Sequence, residues 1–154
     1  MTAHKSILLA IDLATAQREQ AQAQLQKARQ ADAHAQGQMQ QLQDYLQEIE
    51  QRWMKGAQAS TSSELLHHHY QFTTRLNQAI LLQNGVLQGS HARIEAARQQ
   101  LLKVEIRLAS FKQLLANRRA VQAERQQRSE QRQTDEFANL QTHRRQRIQA
   151  ENGL

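Results

Sequence analysis

The sequence predicts an all-α protein: two long helices folded into an antiparallel coiled-coil hairpin, with a basic C-terminal helical overhang. Three observations lead there. Proline is absent and glycine occurs only five times in 154 residues. Gln, Ala and Leu (29, 22 and 19 residues) fill 70 of the 154 positions, and these side chains lose little rotamer freedom in a helix. Apolar residues also recur at alternating spacings of three and four through two long stretches, which is the period of a coiled-coil seam. With 39% hydrophobic and 4% aromatic residues and a mean hydropathy of -0.80, the chain is too polar to fill a compact core of ordinary thickness. A helix that buries one narrow stripe needs far less apolar mass. A Rossmann domain and a β-sandwich are therefore disfavoured, as are most enzymes. The length fits a single domain spanning 1–154.

The first helix is expected over about residues 5–54. Its seam steps through Ile7, Ile11, Ala14, Arg18, Ala21, Leu25, Ala28, Asp32, Ala35, Met39, Leu42, Leu46, Ile49 and Trp53, and twelve of these fourteen are apolar. The Ala-rich part lets a partner helix approach closely, whereas Met39 to Trp53 is bulkier and carries more packing. A turn is expected over about 55–61, with Gly56 as the helix stop and Thr61 with Glu64 as a capping box.

The second helix is expected over about 62–140. Its seam runs through Leu76, Ile80, Gln83, Leu87, Ser90, Ile94, Ala97, Leu101, Val104, Leu108, Phe111 and Leu115, ten of twelve apolar. Leu65, Leu66 and Phe72 extend it upstream. So short a connection favours antiparallel neighbours. A turn centred near residue 58 sets Ile7 near Phe111, in a rod about 70 Å long at ~1.5 Å per residue. Gly85 and Gly89 sit one turn apart inside this helix, where a close-contact face against the first helix and a hinge are the alternatives; continuity is expected. Ala116–Glu136 has only Ala and Val121 as apolar residues, so this overhang lacks an intramolecular partner. Residues 141–154 are expected to fray.

Catalytic apparatus is not visible. Without cysteine, disulfides, thiolate metal sites and thiol nucleophiles are excluded. His67, His68 and His69 are consecutive, and neighbouring helical residues point about 100° apart, so they read as surface histidines with no metal between them. His4, His34, His91 and His143 carry no ligand spacing. Phosphate-loop, dinucleotide, nucleophile-elbow and zinc-protease motifs are all missing. No catalytic residue, metal or cofactor is expected. The apolar run Ile7–Leu13, interrupted by Asp12, is too short for a transmembrane span and a poor secretion signal, so a cytoplasmic chain without transmembrane insertion is expected.

The net charge is +6. From Lys112 onward nine basic residues face five acidic ones, including Arg118, Arg119, Arg125 and Arg128. A solvated helix face explains such a run, as does an acidic socket in a partner protein. Nucleic acid fits poorly, because Glu124, Glu130, Asp135 and Glu136 interrupt the run and Phe137 is its only aromatic residue. Nearer the turn, Gln38, Leu42, Tyr45 and Ile49 form one row and Phe72, Leu76, Ala79 and Gln83 form another, opposite each other across the hairpin. Tyr45 and Phe72 flank the seam, where aromatic groups stay partly exposed and suit an interface.

The segments Phe72-Thr73-Thr74-Arg75-Leu76-Asn77-Gln78-Ala79-Ile80 and Glu130-Gln131-Arg132-Gln133-Thr134-Asp135-Glu136-Phe137-Ala138, with Leu42–Tyr45 before the turn, resemble the flagellar FliJ family over nearly the whole chain. The resemblance implies a non-enzymatic stalk and escort protein of flagellar type III export, similar to the rotor stalk of rotary ATPases. It implies three partners: the hexameric export ATPase of the FliI type, the export-gate membrane protein FlhA, and export chaperones. The gate-binding patch would fall on Gln38, Leu42, Tyr45, Phe72, Leu76 and Ala79. Ile49 and Gln83 depart from the family pattern, where Tyr and His are familiar. Charge and end placement assign Arg118, Arg119, Arg125 and Arg128 to the ATPase ring. The location implied is the cytoplasmic face of the inner membrane. The stalk of a virulence injectisome is the nearest alternative, although Asp135-Glu136-Phe137-Ala138 favours flagella. A generic coiled-coil adaptor or chaperone is a further alternative.

Overall fold

A computed structural model describes residues 4–57 and 62–153, the side chain of residue 57 excepted. Helix α1 spans Lys5–Ala57 and helix α2 spans Ser63–Asn152. No strand occurs among the described residues, so the all-α hairpin class holds. The helices are shared by two compact units, Leu13–Arg107 and Met1–Asp12 with Leu108–Leu154.

The larger unit is an antiparallel pair with a thin core. Ala14, Ala21, Leu25, Ala35 and Met39 of α1 are buried, as are Leu76 and Val104 of α2. The remaining seam positions of this unit, including Ala28, Leu42, Leu46, Ile49, Trp53, Ile80, Leu87, Ile94, Ala97 and Leu101, are half-buried. From Ala14 to Trp53 and from Leu76 to Val104 no seam position is exposed, so over these stretches the alternating spacing of three and four located the interface residue by residue. The two polar breaks in the first-helix seam are inside as well. Asp32 is buried, and Arg18 is half-buried with its Nε lacking a hydrogen-bond partner.

Upstream of Leu76 the seam differs from expectation. Leu65 and Leu66 are more than half exposed and Phe72 is 42% exposed. Stepping back from Leu76 by three and then four reaches Thr73 and His69, and both are half-buried, as is the neighbouring Thr74. The His69 ring stacks on Trp53 with centroids 4.2 Å apart and planes 11° from parallel. His69 is thus part of the packing, while His67 and His68 are exposed.

At the start of α2, the Leu65 amide donates to the Ser62 hydroxyl at 3.1 Å, an N-cap bond that satisfies one free helix donor. The expected capping residue Thr61 lies outside the described residues. Gly56 is still helical, with α1 continuing to Ala57. The ends at Ala57 and Ser63 put the symmetric point near residue 60 rather than 58. Ser90 accordingly meets Asp32 and His69 meets Trp53, about one helical turn beyond the expected register. Tyr45 meets Phe72, one residue from each of the two rows expected to lie opposite each other.

Gly85 and Gly89 lie in uninterrupted helix. A Cβ at either position would meet nothing within 4 Å, so the close-contact face against the first helix is not there. Neither glycine has a positive φ.

In the other unit, Ile7 of α1 is buried together with Leu108 and Leu115 of α2, and Phe111 is half-buried. The His4 ring donates to the Gln122 amide oxygen at 2.8 Å, so the overhang begins later than residue 116. Every described residue from 116 to 153 is exposed. The helix nevertheless passes the expected end near 140 and reaches Asn152. The reason is local: after Gly89 no proline or glycine occurs until Gly153, and Gln, Arg, Glu and Ala all favour helix. No described helix is long and apolar enough to cross a membrane.

Candidate functional site

In the larger unit, the two rows of candidate gate-binding residues come together. Tyr45 and Phe72 meet edge to face, with ring centroids 5.9 Å apart and planes at 76°, the arrangement that the quadrupoles of two aromatic rings favour. Both remain substantially exposed, Tyr45 by 49% and Phe72 by 42%. Each is held by one helix and steadied by the other, so their outward faces form a fixed aromatic pair.

Beside this pair, Gln38, Gln41, Leu42, Tyr45 and Gln83 line a shallow groove. The Gln83 amide bridges it, donating to the Ala35 backbone carbonyl at 2.8 Å and to the Gln38 side-chain oxygen at 3.3 Å. Gln83 therefore joins the candidate residues through contacts of its own, with Gln38 exposed at the rim. Leu76 is a different case, since it is only 7% exposed and belongs to the core. Leu42, Ala79 and Ile49 are half-buried. The six-residue patch thus separates into an exposed set of Gln38, Tyr45 and Phe72 and a supporting set of Leu42, Leu76 and Ala79. Such a layer suits binding a protein surface, where a rigid aromatic centre with a polar rim supplies most of the affinity. It offers no nucleophile or acid–base pair.

The turn-proximal end of the same unit adds apolar surface, with Leu66, expected in the seam, exposed beside Tyr70. Leu66, His67, His69 and Tyr70 flank a second shallow groove with Ser63 and Thr73, and Tyr70 is 68% exposed. The Thr73 hydroxyl donates to the His69 and Tyr70 carbonyls, and the Thr74 hydroxyl donates to the Tyr70 carbonyl. These bonds turn both threonines back onto their own helix.

In the other unit, Arg118, Arg119, Arg125 and Arg128 are all exposed on α2. Helical spacing sets Arg118, Arg125 and Arg128 on one side with Val121, while Arg119 lies about 100° around from Arg118. Arg128 forms an ion pair with Glu124 at 2.7 Å. Further along, Phe137, Leu140 and Ile148 are exposed by 64%, 66% and 54%. Phe137 and Leu140 share a surface hollow with Arg144 and Arg147. The spacing 137, 140, 144, 148 was legible as a helical stripe, but the expectation of a frayed tail hid it. Among the described residues, no three His, Asp or Glu side chains are grouped to hold a metal ion.

No curated protein and no solved structure matches this chain. The family model described as the flagellar FliJ protein matches residues 7–147, a span that includes the seams, the aromatic pair and most of the exposed helix. The match agrees with the segments around Phe72 and Glu130 that carried the resemblance, and the chain belongs to the FliJ family of proteins associated with flagellar export.

Proposed function

We propose that the protein is a non-enzymatic stalk and escort of the flagellar type III export apparatus. It binds the hexameric export ATPase through its basic terminal end and the export gate through the aromatic waist. The observation that carries this reading is the segregation of binding chemistry: an exposed aromatic pair in one unit, and an exposed arginine-rich helix in the other. Gln38, Tyr45 and Phe72 touch the gate protein FlhA, with Leu42, Leu76 and Ala79 as their support. Arg118, Arg119, Arg125 and Arg128 face acidic side chains of the FliI-type ring, and the same protein greets export chaperones. Its place is the cytoplasm, peripheral to the inner membrane.

An asymmetric stalk inside a symmetric ring meets the ring subunits unequally. It biases their conformations to the extent that it binds some states better than others. A ligand spanning several subunits also favours their assembly by mass action. The test is ATP turnover of the cognate export ATPase against added protein, with ring assembly followed by light scattering. Stimulation at substoichiometric protein, accompanied by more hexamer, is the expected result. Absence of both stimulation and co-migration overturns the stalk and leaves a coiled-coil adaptor.

A further inference from the structure

A heptad seam does not by itself fix how two helices align. Sliding one helix by seven residues returns apolar positions to apolar positions, and the same seam allows two copies of α1 to pair in parallel. Something in the sequence has to distinguish these arrangements. In the larger unit the distinguishing residue is Asp32, 8% exposed in the middle of the interface. Its carboxylate accepts from the Ser90 hydroxyl across the interface at 2.8 Å and from the Gln36 amide of its own helix at 2.8 Å. The His91 ring nitrogen lies 3.2 Å from the same oxygen that Ser90 reaches. Ser90 is itself only 4% exposed.

We infer that the Asp32–Ser90 pair, with His91 and Gln36 around it, is a register pin that admits one alignment of α1 and α2 and excludes the neighbouring ones. Sliding α2 one heptad in one direction sets Ala97 against Asp32 and Ser90 against Met39. The carboxylate then loses both partners across the interface and keeps only the Gln36 amide of its own helix, and a buried charge so incompletely paired is disfavoured. Sliding the other way brings Gln83 to Asp32. That takes Gln83 from the Ala35 carbonyl, which it reaches at 2.8 Å, and buries the Ser90 hydroxyl against Leu25. Parallel pairing of two α1 helices in register sets Asp32 against Asp32 and Arg18 against Arg18. Like charges then meet at two interior positions, and both are repelled. A polar residue at one seam position that specifies alignment at some cost in stability is a well-attested use of buried polarity.

The chain has no cysteine, so spin labels can be placed at will. Gln24→Cys and Gln100→Cys put one label on each helix, beside one surface groove. Pulsed electron resonance on the full chain should give a single narrow separation. The variant Asp32→Leu with Ser90→Leu keeps the seam apolar and should keep its helix content and its resistance to urea. It should acquire a second separation, because a one-heptad slip displaces the helices by about 10 Å along their axis. Asp32→Asn, which can still bond Ser90, should retain the single separation. An unchanged single separation in the double-leucine variant overturns the pin. Loss of helix content in that variant also overturns it, since the pair would then supply stability rather than alignment.

Discussion

The side-chain amide of Gln83 donates to the backbone carbonyl of Ala35 across the interface at 2.8 Å. That carbonyl belongs to a helix residue, so Gln83 fills its second lone pair and ties the two helices beside the aromatic pair. Replacing Gln83 with Ala should lower stability by about 1 kcal/mol, the usual net worth of such a bond. The urea midpoint followed by circular dichroism measures it, and an unchanged midpoint shows that the bond adds nothing net.

Tyr45 and Phe72 keep about half of their surface in solvent, whereas Leu76 does not. Tyr45→Ala and Phe72→Ala should weaken gate binding about tenfold or more, as loss of an aromatic anchor typically does, while changing stability by about 1 kcal/mol or less. Leu76→Ala should instead destabilise by roughly 2–3 kcal/mol through the cavity it leaves. Titration with the soluble part of the gate protein, alongside urea unfolding, separates the two classes. Equal destabilisation by all three would make the aromatic pair a core element.

Reversing Arg118, Arg119 and Arg125 to Glu should impair engagement of the ATPase ring without changing helix content, because these side chains are exposed. Natural binding should also weaken as salt rises, since exposed charges are screened beyond about 10 Å at 0.1 M. Co-sedimentation with the ATPase at two ionic strengths checks both, and undiminished binding of the triple variant rejects the charge argument.

A methyl group at Gly85 or Gly89 would meet nothing within 4 Å, and neither residue has a positive φ. Gly85→Ala and Gly89→Ala should therefore each stabilise the chain by about 0.4–1 kcal/mol, through helix propensity and a less flexible unfolded state. A fall in the urea midpoint would reveal a packing role for these glycines.

Trp53 is the only tryptophan and stacks on His69 at 4.2 Å. Removing that cover by His69→Ala should shift its emission to longer wavelength, as the indole gains water. An unchanged spectrum would mean that the stacked arrangement is not populated in solution.

The hairpin was legible because a coiled coil writes its interface into one repeating spacing. Asp32 and Ser90 were placed in the seam by position alone, even though neither is apolar. Their bond to each other was not legible, since pairing depends on alignment and alignment depends on where the turn falls. An expected centre near 58, against the observed midpoint near 60, was enough to move most partners by a turn. The same dependence concealed His69. Three consecutive histidines read as surface residues until the seam, followed upstream from Leu76, reached the third of them. Tyr45 and Phe72 were recoverable because they flank the seam. Phe137, Leu140 and Ile148 were missed because the end of a helix without a core depends on propensity alone, and no breaker occurs there to mark it.

That exposed helix has a consequence for the protein's lifetime. From residue 116 to 153 every side chain is exposed, so opening this stretch costs little beyond its own helix bonding and surface contacts such as Gln122 with His4 and Arg128 with Glu124. No buried core has to be broken. Eight of the chain's twenty basic side chains, all arginines, lie there, each a cleavage point for a protease that cuts after arginine. A partner that covers the stretch therefore shields it as well, and the chain left without a partner is the one degraded first.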